Sequence, residues 1–270
     1  MEWQYISSKA NSLVVKMAKL KDKKYRKAEG LFRFDGIKLF LEAVAKGVKI
    51  EYVFVKESAR ATVGRTVEES GLTARAYILS DEVFARLTDE QAPEGIVTVC
   101  PYLDNVSAQE DLSLLAEQTV GKTTLILESV RDAGNLGTII RTAKAFSIDN
   151  LIISSDCADV YNPKTVRAAM GALFSQRICE VESVSDVICA IKANGSRVYA
   201  AALKSNAKRL GSFGLELGDA IVIGNEGHGL SSEAIDACSE CLFIPMEQGS
   251  ESLNASIAAS VCMWELYKLK

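Results

Sequence analysis

The stretch Ile221–Leu230, with the sequence I-V-I-G-N-E-G-H-G-L, decides the fold of this chain. Its three leading apolar residues are typical of the end of a buried strand, and three glycines follow at Gly224, Gly227 and Gly229. Glycine lets a ligand approach the main chain closely, and open α/β sheets bind ligands at the carboxyl ends of their strands. From this stretch alone, a sharp strand-to-helix connection and a ligand-binding loop are equally open interpretations.

The charge of the loop narrows the choice of ligand. Turns that bind pyrophosphate aim backbone N–H groups at an anion, and the carboxylate of Glu226 would oppose such an anion. The spacing G-x-x-G-x-G also differs from the dinucleotide-binding order G-x-G-x-x-G. The stretch therefore favours a neutral or cationic ligand, and an adenosine that carries a positive sulfonium is one candidate.

The composition is that of a globular protein, with 270 residues, 48% hydrophobic and 24% charged. No apolar run reaches the roughly 18 residues that span a bilayer, and the polar, basic N-terminus lacks the apolar core of a signal peptide. We therefore expect a cytoplasmic protein with no membrane partner. Seven cysteines and a single histidine, His228, favour free buried thiols and no metal site.

The charge is unevenly distributed along the chain. Residues 1–30 carry a net charge of +5, so the other 240 residues carry −9 of the overall −4. A basic N-terminal segment on an acidic body is typical of a local contact with nucleic acid. A solvated helix face explains the same charges equally well.

Hydrophobic spacing predicts two α/β regions. In the first, residues 1–105, the spacing predicts a helix over Lys9–Lys27 and a second helix capped by Asp35. Residues 106–120 form a connector. In 121–270, strands alternate with helices, which predicts a parallel sheet covered on both faces and a closing helix over Leu253–Leu269. The predicted strands of this region are Thr124–Leu127, Leu151–Ser154, Arg177–Val181, Arg197–Ala202, Ala220–Gly224 and Leu242–Ile244. The predicted helices between them are Gly137–Phe146, Pro163–Leu173, Val184–Ala193 and Ser231–Ala237.

Three polar segments follow predicted strands of the second region. They are Glu128–Arg141, Gly224–Leu230 and the pair of short runs Ile244–Met246 and Ser252–Ser256. The carboxyl ends of parallel strands meet at one edge of a sheet. The sequence therefore gathers five polar side chains around one crevice: Asn135, Arg141, Glu226, Ser252 and Asn254.

These segments closely resemble the three motifs of the SpoU/TrmH family of RNA ribose 2′-O-methyltransferases, in the SPOUT superfamily. R-D-x-G-N-x-G-x-x-x-R, ending at Arg141, resembles the first motif. I-G-N-E-G-H-G-L, from Ile223, resembles the second, and I-P-M with E-S-L-N-x-S resembles the third. The resemblance covers about 121–270 strongly, and 30–100 is more loosely similar to a ribosomal-protein-L30e-like substrate-binding domain.

The resemblance implies a fold, a cofactor and roles for individual residues. It implies a SPOUT domain with a deep trefoil knot, a homodimer whose active site is completed across the interface, and S-adenosylmethionine as the methyl donor. The residues implied to hold the cofactor are Gly224, Ile244, Met246 and Leu253. The residues implied to serve catalysis are Arg141, Asn135, Glu226, Ser252 and Asn254.

The implied reaction is methyl transfer to a ribose 2′-hydroxyl of structured RNA, with ribosomal RNA favoured over transfer RNA and no DNA expected. The family proposal makes Arg141 the base, but a guanidinium stays protonated in proteins. Arg141 is therefore also a candidate to bind an RNA phosphate and to stabilise alkoxide charge. The alternatives are a tRNA ribose methyltransferase, a non-catalytic RNA-binding or ribosome-assembly protein on the same fold, and an unrelated nucleotide-binding enzyme.

Overall fold

The computed structural model describes residues 2–109, 111–225, 227–247 and 252–270. The chain forms two compact units. The first unit combines Met1–Leu103 with Asp159–Phe174, and the second combines Asp104–Ala158 with Ser175–Lys270. The extents of the functional domains predicted from the sequence stay a prediction, but the segment Asp159–Phe174 packs with the first unit although it follows a strand of the second.

The first unit is a five-stranded mixed sheet flanked by short helices. Its strands are β1 (Trp3–Ile6), β2 (Leu31–Asp35), β3 (Tyr52–Lys56), β4 (Arg75–Leu79) and β5 (Ile96–Pro101), in the order β1-β4-β3-β5-β2. Its first helices are α1 (Ser12–Ala18), α2 (Lys23–Glu29), α3 (Ile37–Ala45), α4 (Arg65–Glu69) and α5 (Asp81–Phe84). The middle residues of β2, β3 and β5 are buried, which places the core of the unit on this sheet.

The single helix predicted over Lys9–Lys27 is wrong, because the segment breaks into α1, a 3-10 turn at Lys19–Lys21 and α2. Asp22 has an extended backbone, with φ −96° and ψ 132°, which ends the first helical run. The buried guanidinium of Arg26 stabilises the break, since its Nη1 donates to Leu20 O at 2.8 Å and to Lys21 O at 2.6 Å. The same side chain forms an ion pair with Asp159.

Asp35 was predicted to cap the next helix, and this is also wrong. Asp35 ends β2, and Gly36, with φ +105°, occupies the N-cap of α3. Burial raises the pKa of Asp35 to about 6, against opposing effects from Thr88 and Arg33. Within the described residues, Oδ1 of Asp35 is buried and has no hydrogen-bond partner.

Asp35→Asn is expected to stabilise the protein more at pH 7.5 than at pH 4. The pKa of Asp35 is raised from 3.8 in the unfolded chain to about 6 in the fold. The folded state therefore keeps the proton longer, and its stability falls as the pH rises from about 4 to 6. A shift of this size corresponds to at most about 3 kcal/mol. Urea unfolding of both proteins at several pH values measures the difference in their free energies of unfolding. An equal effect of Asp35→Asn at pH 4 and 7.5 would contradict the prediction.

The second unit contains strands β6 (Val106–Ala108), β7 (Thr124–Leu127), β8 (Asn150–Ser154), β9 (Ile178–Val181), β10 (Val198–Ala201), β11 (Lys208–Arg209), β12 (Ala220–Ile223) and β13 (Glu240–Phe243). The remaining helices of the chain are α6 (Leu112–Glu117), α7 (Ala133–Ala145), α8 (Pro163–Ala169), α9 (Val184–Ala193), α10 (Ser232–Ala237) and α11 (Ala255–Tyr267). Of these, α8 lies in the first unit.

All pairings in the large sheet are parallel, and the strand order is β11-β13-β10-β12-β7-β8-β9-β6. The predicted class, a parallel-sheet α/β domain preceded by a smaller α/β domain, is confirmed. The predicted connector contains an edge strand, since Val106 pairs with Ile178 of β9. Strand β12 lies between β10 and β7, so the ends of β7, β12, β10 and β13 stand side by side.

The seven cysteines are free thiols, and all but Cys189 are buried. Burial raises the pKa of Cys238, in the lone C-x-x-C pair, to about 12. Among the helices in the described ranges, none is both long and apolar enough to cross a membrane.

Candidate active site

A cavity of about 430 Å³ opens at the carboxyl edge of the large sheet. Its walls come from the chain after three adjacent strands, β10, β12 and β13, and from the start of α11. Ligand sites in proteins span roughly 300–1,000 Å³. The five residues of this wall that the sequence predicts as site residues are Gly224, Ile244, Met246, Ser252 and Leu253.

The loop after β12 is held closed by its own backbone. Asn225 N donates to Gly229 O at 3.1 Å, and Gly229 N donates to Asn225 O at 2.8 Å. A Cβ on Gly224 would lie 2.3 Å from the carbonyl carbon of Gly229 and 2.5 Å from Leu230 N. Glycine is therefore required at position 224 because the returning main chain occupies the space of a side chain.

Asn225 is the side chain that organises this loop, and the sequence-based site omitted it. Its Oδ1 accepts from Gly227 N at 2.8 Å, and its Nδ2 donates to Ser129 O at 2.8 Å. The second bond joins the loop after β12 to the loop after β7. An asparagine directly after a strand, ahead of clustered glycines, was the available signal, since asparagine side chains commonly bond to the backbone of their own turn.

Ser129 adopts a left-handed backbone conformation, with φ +58°. Its N donates to Ser154 Oγ at 2.9 Å, and its Oγ donates to Asp156 Oδ2 at 2.5 Å. Burial acts to raise the pKa of Asp156, but hydrogen bonds from Ser129, Ser154 and Arg131 outweigh it and lower that pKa. Non-glycine residues with positive φ concentrate at functional sites, and this one fixes the carbonyl to which Asn225 binds.

Glu128, directly after β7, fixes the other side of the glycine loop. Its carboxylate accepts from Ser231 N at 2.8 Å and from Ser231 Oγ at 2.7 Å. Ser231 in turn caps α10 by accepting from Ala234 N. The loop after β12 is thus anchored at both ends to the segment after β7.

Two of the predicted polar residues meet directly. Asn254 is the N-cap of α11, where its Oδ1 accepts from Ser256 N at 2.9 Å, and its Nδ2 donates to Asn135 Oδ1 at 3.1 Å. Asn135 lies in the first turn of α7, which begins earlier than the predicted Gly137 because Asp132 caps it. The first and third motifs are therefore in contact within one chain.

Of the other three predicted polar residues, Ser252 lines the cavity, whereas Arg141 and Glu226 are not among its described lining residues. Arg141 is exposed on α7 and does not line the cavity within the described part of the chain. Its side chain makes no ion pair or hydrogen bond with another described residue, although its backbone lies within α7. Glu226 lies outside the described residues, so its role stays a prediction.

Sequence reasoning missed one wall of the cavity. Ala202, Leu203 and Lys204 follow β10 and line it, and Leu203 is 75% exposed. The strand before them was predicted, but the segment has no glycine cluster or polar motif to mark it. Its position between β12 and β13 in the sheet order brings it to the site.

Asn254→Ala is expected to lower the free energy of unfolding by about 1 kcal/mol, the usual contribution of an N-cap. Asn254→Asp keeps an acceptor for Ser256 N and places negative charge at the helix N-terminus, which is favourable. It nevertheless removes the amide donor to Asn135. Urea unfolding should therefore separate the two variants, whereas methyl-transfer assays should find both impaired. Full activity of Asn254→Asp would show that the contact with Asn135 has no part in the reaction.

The arrangement is a glycine-lined cavity at the carboxyl edge of a parallel sheet with paired asparagines beside it, which defines a ligand-binding α/β protein. The sequence matches the SpoU rRNA methylase family over residues 122–264 and an MRM3-like substrate-binding domain over 11–98. The chain belongs to the SpoU rRNA methylase family. The predicted enzyme class, RNA ribose 2′-O-methyltransferase, is thereby confirmed.

Relatives match both regions of the chain. This chain is 29% identical to the 23S rRNA (guanosine(2553)-2′-O)-methyltransferase RlmP of Bacillus subtilis. The alignment covers 97% of this chain and 98% of that protein. The chain is 36% identical to a putative TrmH family tRNA/rRNA methyltransferase of Staphylococcus aureus, over 86% of this chain and 88% of the other.

A solved structure of a relative supports the prediction that S-adenosylmethionine is the cofactor. The AdoMet-bound rRNA methyltransferase from Sinorhizobium meliloti superposes with a TM-score of 0.82 at 26% identity and covers 98% of each chain. The predicted methyl donor, S-adenosylmethionine, is confirmed by this cofactor-bound structure of a relative.

Proposed function

We propose that this protein methylates a ribose 2′-hydroxyl of ribosomal RNA. The observation that carries the proposal is the end-to-end similarity to RlmP of Bacillus subtilis, whose name specifies 23S rRNA, through both the front and the methyltransferase regions. The alternatives are a transfer RNA substrate and a non-catalytic role in ribosome assembly. The contact between Asn135 and Asn254 favours catalysis, because it keeps two motifs of the family assembled.

S-adenosylmethionine, when bound, supplies an electrophilic methyl group on a sulfonium sulfur. The cavity fits such a ligand by its size and by the chemistry of its walls. Main-chain groups at Gly224, Ile244 and Leu253 offer polar contacts, and the side chains of Met246 and Leu203 offer apolar surface for a flat ring. We assign cofactor binding to Gly224, Ile244, Met246 and Leu253.

The polar residues have to place and polarise the ribose hydroxyl. Holding two reacting groups in line accounts for roughly 7–11 kcal/mol of barrier reduction in favourable cases. We assign this placement to Asn135 and Asn254, whose amides are mutually oriented, with Ser252 at the cavity wall. We assign a part in the same step to Glu226 on the family resemblance alone. Arg141 binds the RNA backbone and stabilises negative charge that develops on the 2′-oxygen, because a guanidinium retains its proton.

A homodimer completes this site in our proposal. Helix α11 has apolar residues on its exposed side, where Ile257 is 51% and Trp264 is 46% exposed. Trp264, Tyr267 and Phe146 form one aromatic cluster with ring centroids 5.6–5.9 Å apart. A helix that is apolar all round is normally covered on both sides. Because Arg141 does not line the cavity of its own chain among the described residues, the partner's Arg141 is the one we assign to each site.

Ile257→Asp combined with Trp264→Asp is expected to convert the dimer to a monomer at micromolar concentration. Charge placed in a buried apolar interface is left desolvated and unpaired. Sedimentation velocity measures the change, and Leu217→Asp, at a site 53% exposed elsewhere in the same unit, is the matched control. A wild-type protein that sediments as a monomer would contradict the dimer.

Two further features belong to this proposal. The first is the trefoil knot, which we propose on the family resemblance; the residues after β13 and the loop after β12 line one cavity, as that arrangement requires. A cytoplasmic location follows from the proposed ribosomal substrate.

Transfer of labelled methyl groups from S-adenosylmethionine tests the function. Ribosomal RNA and transfer RNA from a strain that lacks the gene serve as separate substrates. We expect label in a ribose of ribosomal RNA, and label in transfer RNA alone would replace the proposed substrate. Thermal stabilisation by S-adenosylmethionine, compared with ATP and NAD, tests cofactor choice independently, since a ligand stabilises the state it binds.

A further inference from the structure

The segment from Lys19 to Lys27 carries five exposed lysines that have no ion-pair partner among the described residues. Nearby lysines outside the segment are already paired, Lys9 with Glu82 at 2.7 Å and Lys16 with Glu29 at 2.6 Å. The unpaired set, which we call the lysine surface, consists of Lys19, Lys21, Lys23, Lys24 and Lys27.

The carboxylates around the lysine surface do not neutralise it. Asp159 forms an ion pair with Arg26, and Asp89 accepts from Arg33 at 2.7 Å. Asp22 is the one exposed carboxylate inside the segment. Five positive charges therefore face a single negative one, on a protein whose overall charge is −4.

Two of the five lysines occupy unfavourable positions in α2, whereas Lys27 lies in its last turn, where positive charge is favourable. Lys23 and Lys24 lie in its first turn, where the helix dipole disfavours positive charge. Lys23 and Lys27 stand four residues apart, and like charges at this spacing destabilise a helix. The helix dipole therefore gives no reason for the charges of Lys23 and Lys24, whereas an external anion would favour them.

The scaffold under the lysine surface is rigid. Leu20 is buried, and the Arg26 side chain, 1% exposed, binds the Leu20 and Lys21 carbonyls. Tyr25 orders two of the lysines, because Lys19 Nζ lies 5.3 Å and Lys24 Nζ 4.9 Å from its ring centroid. Cations at such distances are attracted to an aromatic face. Two of the five ammonium groups, those of Lys19 and Lys24, are thus placed against one ring.

A groove of about 420 Å³ extends the lysine surface. Lys19 and Lys21 lie on one side of it and Arg86 on the other, with Asp22 and Asp89 also in its lining. Arg86 is positioned by the bond from its Nη1 to Lys9 O, at 2.8 Å. The groove therefore continues the positive surface to a second structural element, the chain after α5.

We infer that the lysine surface, with Arg86, is the site where this protein binds the phosphate backbone of its RNA, independently of nucleotide sequence. The inference deepens the proposed function, on which it rests for the class of partner. Lysines contact phosphates as point charges and release counterions from RNA, so their contribution is strongly dependent on salt. The surface contributes affinity, and the choice of nucleotide belongs to the methyltransferase site.

The test compares two triple variants that remove equal charge from the same unit. The first triple variant alters the lysine surface and carries Lys21→Ala, Lys23→Ala and Lys27→Ala. The control triple variant alters exposed lysines elsewhere and carries Lys38→Ala, Lys46→Ala and Lys49→Ala. The probe is a fluorescently labelled RNA hairpin of arbitrary sequence, titrated between about 50 and 200 mM salt. We expect the first triple variant to lose about tenfold or more in affinity and to lower the salt slope by roughly 2–3. The control variant should match the wild type.

Equal affinity and slope for the first triple variant and the wild type would overturn the inference. An equal loss of affinity in both triple variants would also overturn it, since net charge alone would then explain binding. A wild-type protein that does not bind the hairpin would overturn it as well. An unchanged thermal shift with S-adenosylmethionine verifies the fold of each variant. If the wild type binds RNA through this surface but transfers no methyl group to ribosomal RNA, the proposed function fails and the binding surface stands.

Discussion

Arg141→Ala is expected to lower the rate of methyl transfer by about 10²–10³-fold, the usual effect of removing one charge-stabilising donor. Affinity for S-adenosylmethionine should stay within about twofold of the wild type, because the residues to which we assign cofactor binding, Gly224, Ile244, Met246 and Leu253, do not include Arg141. Its guanidinium is exposed on α7, so its removal leaves no buried charge unpaired. Stability should therefore change by less than about 0.5 kcal/mol.

Lys144→Ala is the matched control for this prediction. Lys144 is an exposed cation on the same helix, and its Nζ makes only a long bond to Ser175 O at 3.4 Å within the described structure. Single-turnover kinetics with saturating cofactor separate chemistry from binding, and calorimetry measures the cofactor affinity. Lost cofactor affinity with an intact chemical step in Arg141→Ala would overturn the role assigned to this residue.

Gly224→Ala is expected to abolish measurable binding of S-adenosylmethionine and to lower stability by roughly 3 kcal/mol, towards the upper end for overpacked sites. The added Cβ would lie 2.3–2.5 Å from backbone atoms of Gly229 and Leu230. Those atoms have little freedom to move, since the Asn225–Gly229 backbone bonds close the loop and Asn225 ties it to Ser129. The cavity wall must therefore deform.

Gly214→Ala provides the control, because a Cβ at that position meets open space and its φ is not in the left-handed region. Its stability should change by no more than about 0.5 kcal/mol. Thermal melting with and without S-adenosylmethionine measures both effects. A Gly224→Ala protein that the cofactor stabilises as much as the wild type would show that the closed loop does not shape the binding site.

Much of the large sheet is predictable from the sequence because its strands are buried on both faces and read as continuous apolar runs. The predicted Thr124–Leu127 strand is identical to β7, and Val184–Ala193 is identical to α9. The order of the strands is not predictable in this way. Local patterns do not report that β12 inserts between β10 and β7, and this long-range pairing is what brings Ala202–Lys204 to the cavity.

The first unit was harder to predict, since its helices are short and its decisive interactions are non-local. The turn at Lys19–Lys21 depends on Arg26, whose own position depends on Asp159, far along the chain. The burial of Asp35 likewise depends on the register of β2 against β5. A basic segment with helical spacing contains no local signal for either contact.

The motifs of the candidate site could be predicted from the sequence, but the contacts between their residues could not. The family resemblance supplied Asn135, Asn254 and the glycine loop, and the fold brings the two asparagines within 3.1 Å. The supporting residues Asn225, Ser129 and Glu128 appear only when the loops after β7 and β12 are seen together. They hold the walls in place and have no periodic or compositional signature.

Mapping of ribose methylation in total RNA, from strains with and without the gene, tests the central claim most directly. We expect one 2′-O-methyl group of ribosomal RNA to disappear when the gene is deleted. The wild-type gene should restore this group, and the Arg141→Ala gene should not. An identical methylation map in both strains, or a loss confined to transfer RNA, would contradict the account.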